Sequence, residues 1–147
     1  MKKITRYWLA FLAGLFLAGC TTVKELPAES LTTEPTTPEY RKARKLMTAF
    51  LENDPDTFVS LLPEDKQQAF DANRFRTYRF SIIDSLGEPK SFHYLTTLQM
   101  PVFTPFVWQV AFERTGKEGD LIHGEALFRV IVGKSGDEIL IVSFQFL

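Results

Sequence analysis

The sequence predicts an α+β domain in which N-terminal helices pack on a curved, four-stranded antiparallel sheet. Between residues 39 and 86 the apolar residues recur at the spacing of amphipathic helices, whereas from Ser91 onward they alternate with polar residues, as in half-buried strands. Glycine-containing turns separate the last three strand candidates, so we expect consecutive strands to pair as hairpins. A chain of 147 residues suits one such domain.

The helical part divides at its capping signals. The first helix is predicted over 39–53. A short helix over 54–62 follows, because Asp54 and Pro55 supply an N-cap and a first-position proline. A further helix opens at residue 63, and helical spacing continues to residue 86, where a glycine and a proline end it. The residues expected to face the core are Tyr40, Ala43, Met47, Phe50, Leu51, Phe58, Val59, Leu61, Leu62, Ala69, Phe70, Phe75, Tyr78, Ile82 and Leu86.

Four strands are predicted over 91–100, 105–114, 121–133 and 138–146. One face of the sheet should be apolar and receive the helices, with residues Phe92, Tyr94, Leu98, Met100, Phe106, Trp108, Val110, Phe112, Ala126, Phe128, Val130, Val132, Leu140, Val142, Phe144 and Phe146. The other face is mixed, with residues His93, Leu95, Thr97, Gln99, Val107, Gln109, Ala111, Glu113, Glu125, Leu127, Arg129, Ile131, Ile139, Ile141, Ser143 and Gln145. A mixed face is either partly solvated or a protein interface, and one β-bulge would exchange the faces along part of a strand.

The first twenty residues have the organisation of an export signal. Lys2, Lys3 and Arg6 precede an apolar run over 7–18, which is too short to span a bilayer core comfortably but has the length of the apolar region of a signal peptide. The run ends in Leu17-Ala18-Gly19-Cys20, which resembles the lipobox of bacterial lipoproteins. The alternative is an uncleaved anchor helix with an incidental cysteine.

The lipobox resemblance implies cleavage between Gly19 and Cys20, a diacylglycerol on the Cys20 thiol, and an acylated amino terminus, with palmitate as the expected lipid. Thr21 follows the cysteine where an aspartate would suggest retention at the inner membrane. We therefore expect a lipid-anchored protein of the cell envelope, on the periplasmic face of the outer membrane if the cell is Gram-negative. Several acyl chains hold a protein firmly, since each buried CH₂ contributes about 0.8 kcal/mol.

The domain organisation follows from this division. Residues 1–19 are the signal peptide, 20–38 the lipidated cysteine and a flexible tether, and 39–147 the folded domain. The tether holds six threonines and three prolines among residues 21–38, which cannot bury enough apolar surface to offset the entropy of ordering.

The folded part also resembles a known superfamily. It resembles the NTF2-like (cystatin-like) superfamily, in particular those members that are small bacterial lipoproteins of unknown function. The similar segments are the helix RKARKLMTAFLENDPDTFVSLL, the turn SLGEPKSFHYL and the strands WQVAF, EALFRVIV and ILIVSFQF. The resemblance implies a cone-shaped sheet curled around a long helix, often with a pocket, and dimerisation through the open sheet face. Members include isomerases, dehydratases and non-enzymatic binding modules, so the fold does not select a function.

A pocket inside such a cone would be lined by inward aromatic residues, although such residues are more often core. The possible lining residues are Tyr78, Tyr94, Trp108, Phe112 and Phe128. The predicted inner face of the sheet carries no Asp or Glu, which argues against isomerase chemistry because a general base must reach the proton it removes. We therefore predict no catalytic residue and no cofactor.

Two histidines and a carboxylate are the other candidates for chemistry. His123 and Glu125 share a face of one strand and His93 lies on the same side, a combination that could bind a metal. Their position on the mixed face favours surface or interface residues, and we predict no metal site.

Charge limits the partners. Lys2, Lys3 and Arg6 account for three of the 17 basic residues and for none of the 18 acidic ones, so the chain from Cys20 onward has a net charge of −4. This excludes the basic footprint of a nucleic-acid binder. We expect a non-enzymatic module that binds an envelope protein or a small apolar ligand, as a homodimer; the alternative is a small-pocket enzyme acting on a hydrophobic substrate.

Overall fold

The computed structural model describes residues 33–98 and 100–147. The predicted signal peptide, Gly19, Cys20 and the first part of the predicted tether lie outside these residues, as does Gln99. Within the described ranges four helices precede four strands, which confirms the predicted α+β class. None of these helices is long and apolar enough to cross a membrane.

The helix α2 (Pro55–Ser60) begins where Asp54 and Pro55 predict it, whereas α1 (Pro38–Leu51) begins one residue before the predicted start at 39. The side chains of Thr37 and Asp54 cap them, each accepting a hydrogen bond from the backbone N–H three residues on, at 3.2 and 3.0 Å. A proline is the first residue of each helix, where its missing N–H costs no helical hydrogen bond. The helical domain thus begins one residue earlier than predicted.

The next two helices, α3 (Glu64–Gln67) and α4 (Ala72–Leu86), replace the uninterrupted helical stretch predicted from residue 63. The carboxylate of Asp71 accepts a hydrogen bond from the backbone N–H three residues on at 2.8 Å, and this cap starts a new helix. Ala69 lies in the break and is exposed, so its predicted core position is wrong.

The strands β1 (Glu88–Thr97), β2 (Phe103–Thr115), β3 (Leu121–Ser135) and β4 (Glu138–Phe146) form one antiparallel sheet. Their order is β1-β2-β3-β4, which confirms the predicted meander. β1 starts at Glu88, before the predicted residue 91, and so includes Pro89, and it ends at Thr97, before the predicted residue 100. Proline is tolerated there since β1 is an edge strand, in which a missing N–H leaves no partner strand unpaired.

A β-bulge at the end of β1 corrects one predicted face. The register shifts between Tyr94 and Thr96, and Thr97 then pairs with the buried residue Phe106. Leu98 and Met100, predicted to face the core, lie beyond the strand with exposed fractions of 58% and 51%.

A second bulge corrects β4. The register shifts between Ile131 and Val132, so that Val132 pairs with Ile141. Ile141, predicted on the mixed face, is therefore buried in the core, whereas Leu140, predicted inward, takes the opposite face. The extra residue of a bulge reverses the alternation of side chains beyond it.

The outer edge of β4 carries backbone carbonyls with no strand beside them. The Lys42 ammonium donates to the Ile139 carbonyl at 2.6 Å, and the Lys66 ammonium donates to the Val142 carbonyl. Lysines at a free edge oppose pairing with another strand, which protects the sheet from edge-to-edge association.

The core lies between α1 and the inner face of the sheet. α1 contacts all four strands, and α2 contacts both α1 and α4. The buried apolar residues are Tyr40, Ala43, Leu46, Met47, Ala49, Phe50, Phe58, Leu62, Phe75, Tyr94, Phe106, Trp108, Val110, Phe112, Phe128, Val130, Val132 and Ile141. The part of the chain that the structure describes buries no polar or charged residue.

Candidate functional site

The five aromatic residues predicted to line a pocket all pack in or against the core. Trp108, Phe112 and Phe128 are fully buried, Tyr94 is nearly so, and Tyr78 packs on the core from α4. Phe112 contacts the Phe146 ring of β4, and the other four contact aromatic rings of α1 in two groups. The first group, the Tyr40 cluster, lies near the start of α1, and the second, the Phe50 cluster, near its end.

The Tyr40 cluster consists of Tyr40, Tyr94, Phe106 and Trp108. The Tyr40 ring centroid lies 5.2 Å from that of Tyr94 and 5.9 Å from that of Trp108. Phe106 meets the Tyr40 ring edge-on at 5.5 Å. These are the separations of rings in direct contact, so the cluster fills this end of the interior.

The Phe50 cluster consists of Phe50, Phe75, Tyr78, Phe128 and Phe146. The Phe50 ring lies 5.2 Å from Phe146 and 6.1 Å from Phe128, and Phe128 lies 4.7 Å from Phe146. The Arg79 guanidinium covers this cluster, 5.8 Å from the Phe50 ring centroid. The second half of the interior is therefore also occupied by the protein's own side chains.

Three buried polar atoms in these clusters have no hydrogen-bond partner among the described residues: the Tyr40 and Tyr78 hydroxyls and the Trp108 Nε1. Burial raises the pKa of the Tyr40 hydroxyl to about 12, while the indole N–H of Trp108 acts in the opposite direction. Burial also raises the pKa of Tyr78 to about 12 and raises that of Tyr94. Low-polarity surroundings disfavour each phenolate.

The raised tyrosine pKa values predict alkaline unfolding. An unfolded tyrosine loses its proton near pH 10, whereas folded Tyr40 and Tyr78 keep theirs to about pH 12. The folded state then binds more protons, so the free energy of unfolding is unchanged below pH 10 and falls as pH rises towards 12. Between pH 8 and pH 11 we expect Tyr78→Phe to reduce this loss by about 1.4 kcal/mol.

Urea unfolding at pH 8 and at pH 11, with ultraviolet absorbance of tyrosinate, measures this effect. Wild-type protein and the Tyr78→Phe variant should differ in their pH dependence. Identical losses of stability between the two pH values would contradict a buried, protonated Tyr78.

Two adjoining clefts, of about 430 and 340 Å³, lie where the chain enters the domain. We call them the entry groove. Their walls share Glu39, Met100 and Thr104 and include none of the five predicted pocket residues. Glu39, in the first turn of α1, forms an ion pair with Lys134 at the end of β3. The Lys134 ammonium hydrogen-bonds to Glu39 and thereby lowers the pKa of its carboxyl group.

The segment 33–37, part of the predicted tether, is held against the start of α1. The Arg44 guanidinium lies 3.3 Å from the Glu34 carboxylate and 5.6 Å from the Phe92 ring centroid. The Arg41 guanidinium donates to the Thr36 carbonyl at 2.8 Å. The end of the predicted tether thus lies over the Tyr40 cluster, where Glu34 adds to the raised pKa of the Tyr40 hydroxyl.

The open face of the sheet is divided rather than evenly mixed. Its half nearer the β1–β2 turn carries apolar residues, which we call the outer patch: Pro105, Val107, Ile131, Leu140 and Val142. Pro105 is buried and the other four are partly exposed. The neighbouring Gly133 has no side chain, and Phe103 and Val142 close over it.

The other half of this face holds the histidines. His123 lies 3.3 Å from Glu113 and is 70% exposed, and Glu125 accepts a hydrogen bond from Gln109. His93 pairs with Gln109 across β1 and β2 and is exposed. Among residues 33–98 and 100–147 no three His, Cys, Asp or Glu side chains are grouped as metal ligands.

The feature that the sequence analysis missed is the turn between β1 and β2. Leu98, Met100, Val102 and Phe103, which we call the apolar turn, are exposed by 58%, 51%, 64% and 41%. The signal was present: Pro101 interrupts the strand pattern within an apolar stretch. A proline between two strands indicates a turn, and residues there cannot be assigned to a sheet face.

No protein-family model and no curated protein matches this chain. Similar solved structures include the solution structure of a SEC-C motif containing protein from Rhodopseudomonas palustris, 14% identical with a TM-score of 0.49, over 74% of this chain and 77% of that one. Another is a domain from Xanthomonas campestris assigned as a calcium/calmodulin dependent protein kinase II association domain, 15% identical with a TM-score of 0.45, over 82% of this chain and 95% of that one. Likeness of this degree assigns no activity to the chain.

Proposed function

We propose that this chain is a membrane-anchored lipoprotein of the cell envelope, whose domain acts as a non-enzymatic binding or interaction module. The anchor rests on the resemblance of Leu17-Ala18-Gly19-Cys20 to a lipobox. In a Gram-negative cell the anchored domain would face the periplasm from the outer membrane. The domain would be an NTF2-like cone in which α1 is the enclosed helix.

The observation that carries this proposal is the filled interior. The Tyr40 and Phe50 clusters occupy the space between α1 and the sheet, where an enzyme of this fold would hold its substrate. What remains available for recognition is the surface, namely the entry groove, the outer patch and the apolar turn. A surface of this kind suits an envelope protein or a small apolar ligand as partner.

The alternative, a small-pocket enzyme acting on a hydrophobic substrate, would use the Tyr40 hydroxyl as its polar group. Tyr94, Phe106 and Trp108 enclose that residue, which is 2% exposed. A substrate could reach it only if segment 33–37 and these rings moved. The packing therefore favours the interaction module.

The anchor is tested by metabolic labelling. We expect the wild-type chain, expressed with its own signal in bacteria, to incorporate radiolabelled palmitate and to sediment with membranes. Cys20→Ser should abolish the label, because Cys20 is the only cysteine of the chain. Thr21→Ser is the matched control and should keep the label. Label retained by the Cys20→Ser chain would contradict lipidation at this residue.

We further propose that two domains pair through the outer patch. Ile131→Lys would place a charge in the middle of that interface and should convert a dimer into a monomer. His123→Lys, on the same face but in the half that holds the histidines, is the control and should remain dimeric. Size-exclusion chromatography with light scattering measures both, and a wild-type protein that stays monomeric at high concentration would contradict the dimer.

A further inference from the structure

The apolar turn groups four large apolar side chains on a projecting loop. Clusters of this kind are uncommon on the surface of a monomeric protein and mark a site of interaction. Leu98, Met100 and Val102 lie at the end of the sheet, between β1 and β2, whereas Phe103 begins β2 and lies over Gly133 on the open face.

The turn lies beside the point at which the chain enters the domain. Pro35 and Thr37, just before α1, line the entry groove together with Met100 and Thr104. Phe103 pairs with Gly133, which brings the β3–β4 turn to the same end of the sheet. An attachment of the amino-terminal segment to a membrane would therefore turn this end of the domain towards that membrane.

The chain length before the described residues limits the distance to the anchor. Residues 21–32 separate Cys20 from Thr33, the first described residue. Fully extended, a chain of this length spans no more than about 45 Å. An acyl anchor at Cys20 would thus keep the apolar turn close to the membrane surface.

The charged residues that line the entry groove, Glu39 and Lys134, form an ion pair, and Arg44 is paired with Glu34. Arg41 and Lys42 donate to backbone carbonyls and keep their positive charge, which would add to any attraction by anionic lipids. The side chains of the apolar turn are the groups that can enter the boundary between head groups and acyl chains.

From these observations we propose that the apolar turn inserts into the lipid–water interface of the membrane that holds the chain. The inference rests on the proposed anchor at Cys20. It gives the domain a fixed orientation, with the entry groove and β1–β2 turn towards the lipid. The β2–β3 turn then points away, since the 13 residues of β2 extend about 40 Å.

Photo-crosslinking from lipid tests this orientation. The full chain is expressed with its own signal, its membranes are loaded with phosphatidylcholine that carries a diazirine near the glycerol end of one acyl chain, and the irradiated protein is digested for mass spectrometry. We expect the peptide containing Met100 and Val102 to carry about tenfold more lipid adduct than the peptide containing Leu121, which is equally exposed at the far end. The double variant Met100→Glu/Val102→Glu should lose about nine-tenths of its adduct, because carboxylates resist entry into acyl chains.

Leu121→Glu is the matched control and should leave the adduct on the turn unchanged. Equal labelling of the two wild-type peptides would overturn the proposal, and this comparison needs no variant to fold. The same digest reports the mass of the peptide beginning at Cys20. A lipid-free Cys20 refutes the anchor, whereas a lipidated Cys20 with an unlabelled turn refutes only the insertion.

Discussion

Replacing Phe50 by alanine is expected to destabilise the domain by about 4 kcal/mol. Phe50 is fully buried on α1 and contacts rings from both α4 and the sheet, including Phe75 at 6.3 Å and Phe146 at 5.2 Å. Its loss removes the apolar contact area and leaves a cavity that rigid neighbouring rings cannot fill. Such a loss is a large part of the free energy of unfolding of a typical domain, which is about 5–15 kcal/mol.

Phe80→Ala is the matched control for this variant. Phe80 is also a helical phenylalanine, on α4, but it is 69% exposed. We expect a change within about 0.5 kcal/mol, because few contacts are lost from an exposed position. Urea unfolding followed by circular dichroism measures both variants. Equal effects at the two positions would show that Phe50 does not lie in a packed core.

The second large effect is expected at Gly87, which joins α4 to β1. Its φ of 98° and ψ of −172° lie in a region that only glycine adopts readily. A Cβ there would lie 2.3 Å from the Glu113 carbonyl oxygen and 2.8 Å from the Arg114 Cβ. The atoms in the way belong to the backbone of β2, which cannot move aside as a flexible side chain could. Gly87→Ala should cost about 3 kcal/mol or more, as backbone strain and a clash act together.

Gly119→Ala separates these two causes. Gly119 also has a positive φ, of 83°, but a Cβ there would meet no atom within 4 Å. Strain alone should cost about 1–2 kcal/mol. Thermal or urea unfolding of the two variants gives the difference, which is the contribution of the close approach between Gly87 and β2. A Gly119 variant as unstable as the Gly87 variant would contradict that contribution.

The features that the sequence predicts well are those set by local chemistry. Asp54 and Pro55 start α2 where an N-cap and a first-position proline require it, and Gly87 ends α4. The antiparallel order of β2, β3 and β4 follows from short glycine-containing turns, which favour pairing of each strand with the next one in the chain.

The features that the sequence does not predict depend on the extra residue of a β-bulge or on a side chain that caps a helix within a helical pattern. A bulge turns Ile141 inward and Leu140 outward. Isoleucine and leucine are both apolar, so residue type alone does not indicate which of the two faces the core. Asp71 begins a new helix within a stretch of continuous helical spacing, because its cap outweighs the pattern. Propensity and periodicity cannot rank such alternatives in advance.

The candidate site was harder to predict than the fold. The five inward aromatic residues were correctly placed inside, but a list of inward residues does not reveal whether the space between them is filled. That depends on α1, whose Tyr40 and Phe50 rings enter between them. The alternation of apolar and polar residues predicts that Leu98 and Met100 belong to β1. Because β1 ends at Thr97, the same alternation does not reveal the apolar turn.

The proposal that the surface of the domain binds a partner depends on an interior filled by the Tyr40 and Phe50 clusters. Titration of the protein with benzene, followed by the NMR signals of the core methyl groups of Leu46, Val110 and Val130, tests this most directly. Apolar cavities bind benzene, so Phe50→Ala should show saturable shifts and serves as the positive control. We predict no saturable shift in the wild-type protein. Saturable binding of benzene by the wild type would contradict a filled interior and favour a ligand pocket.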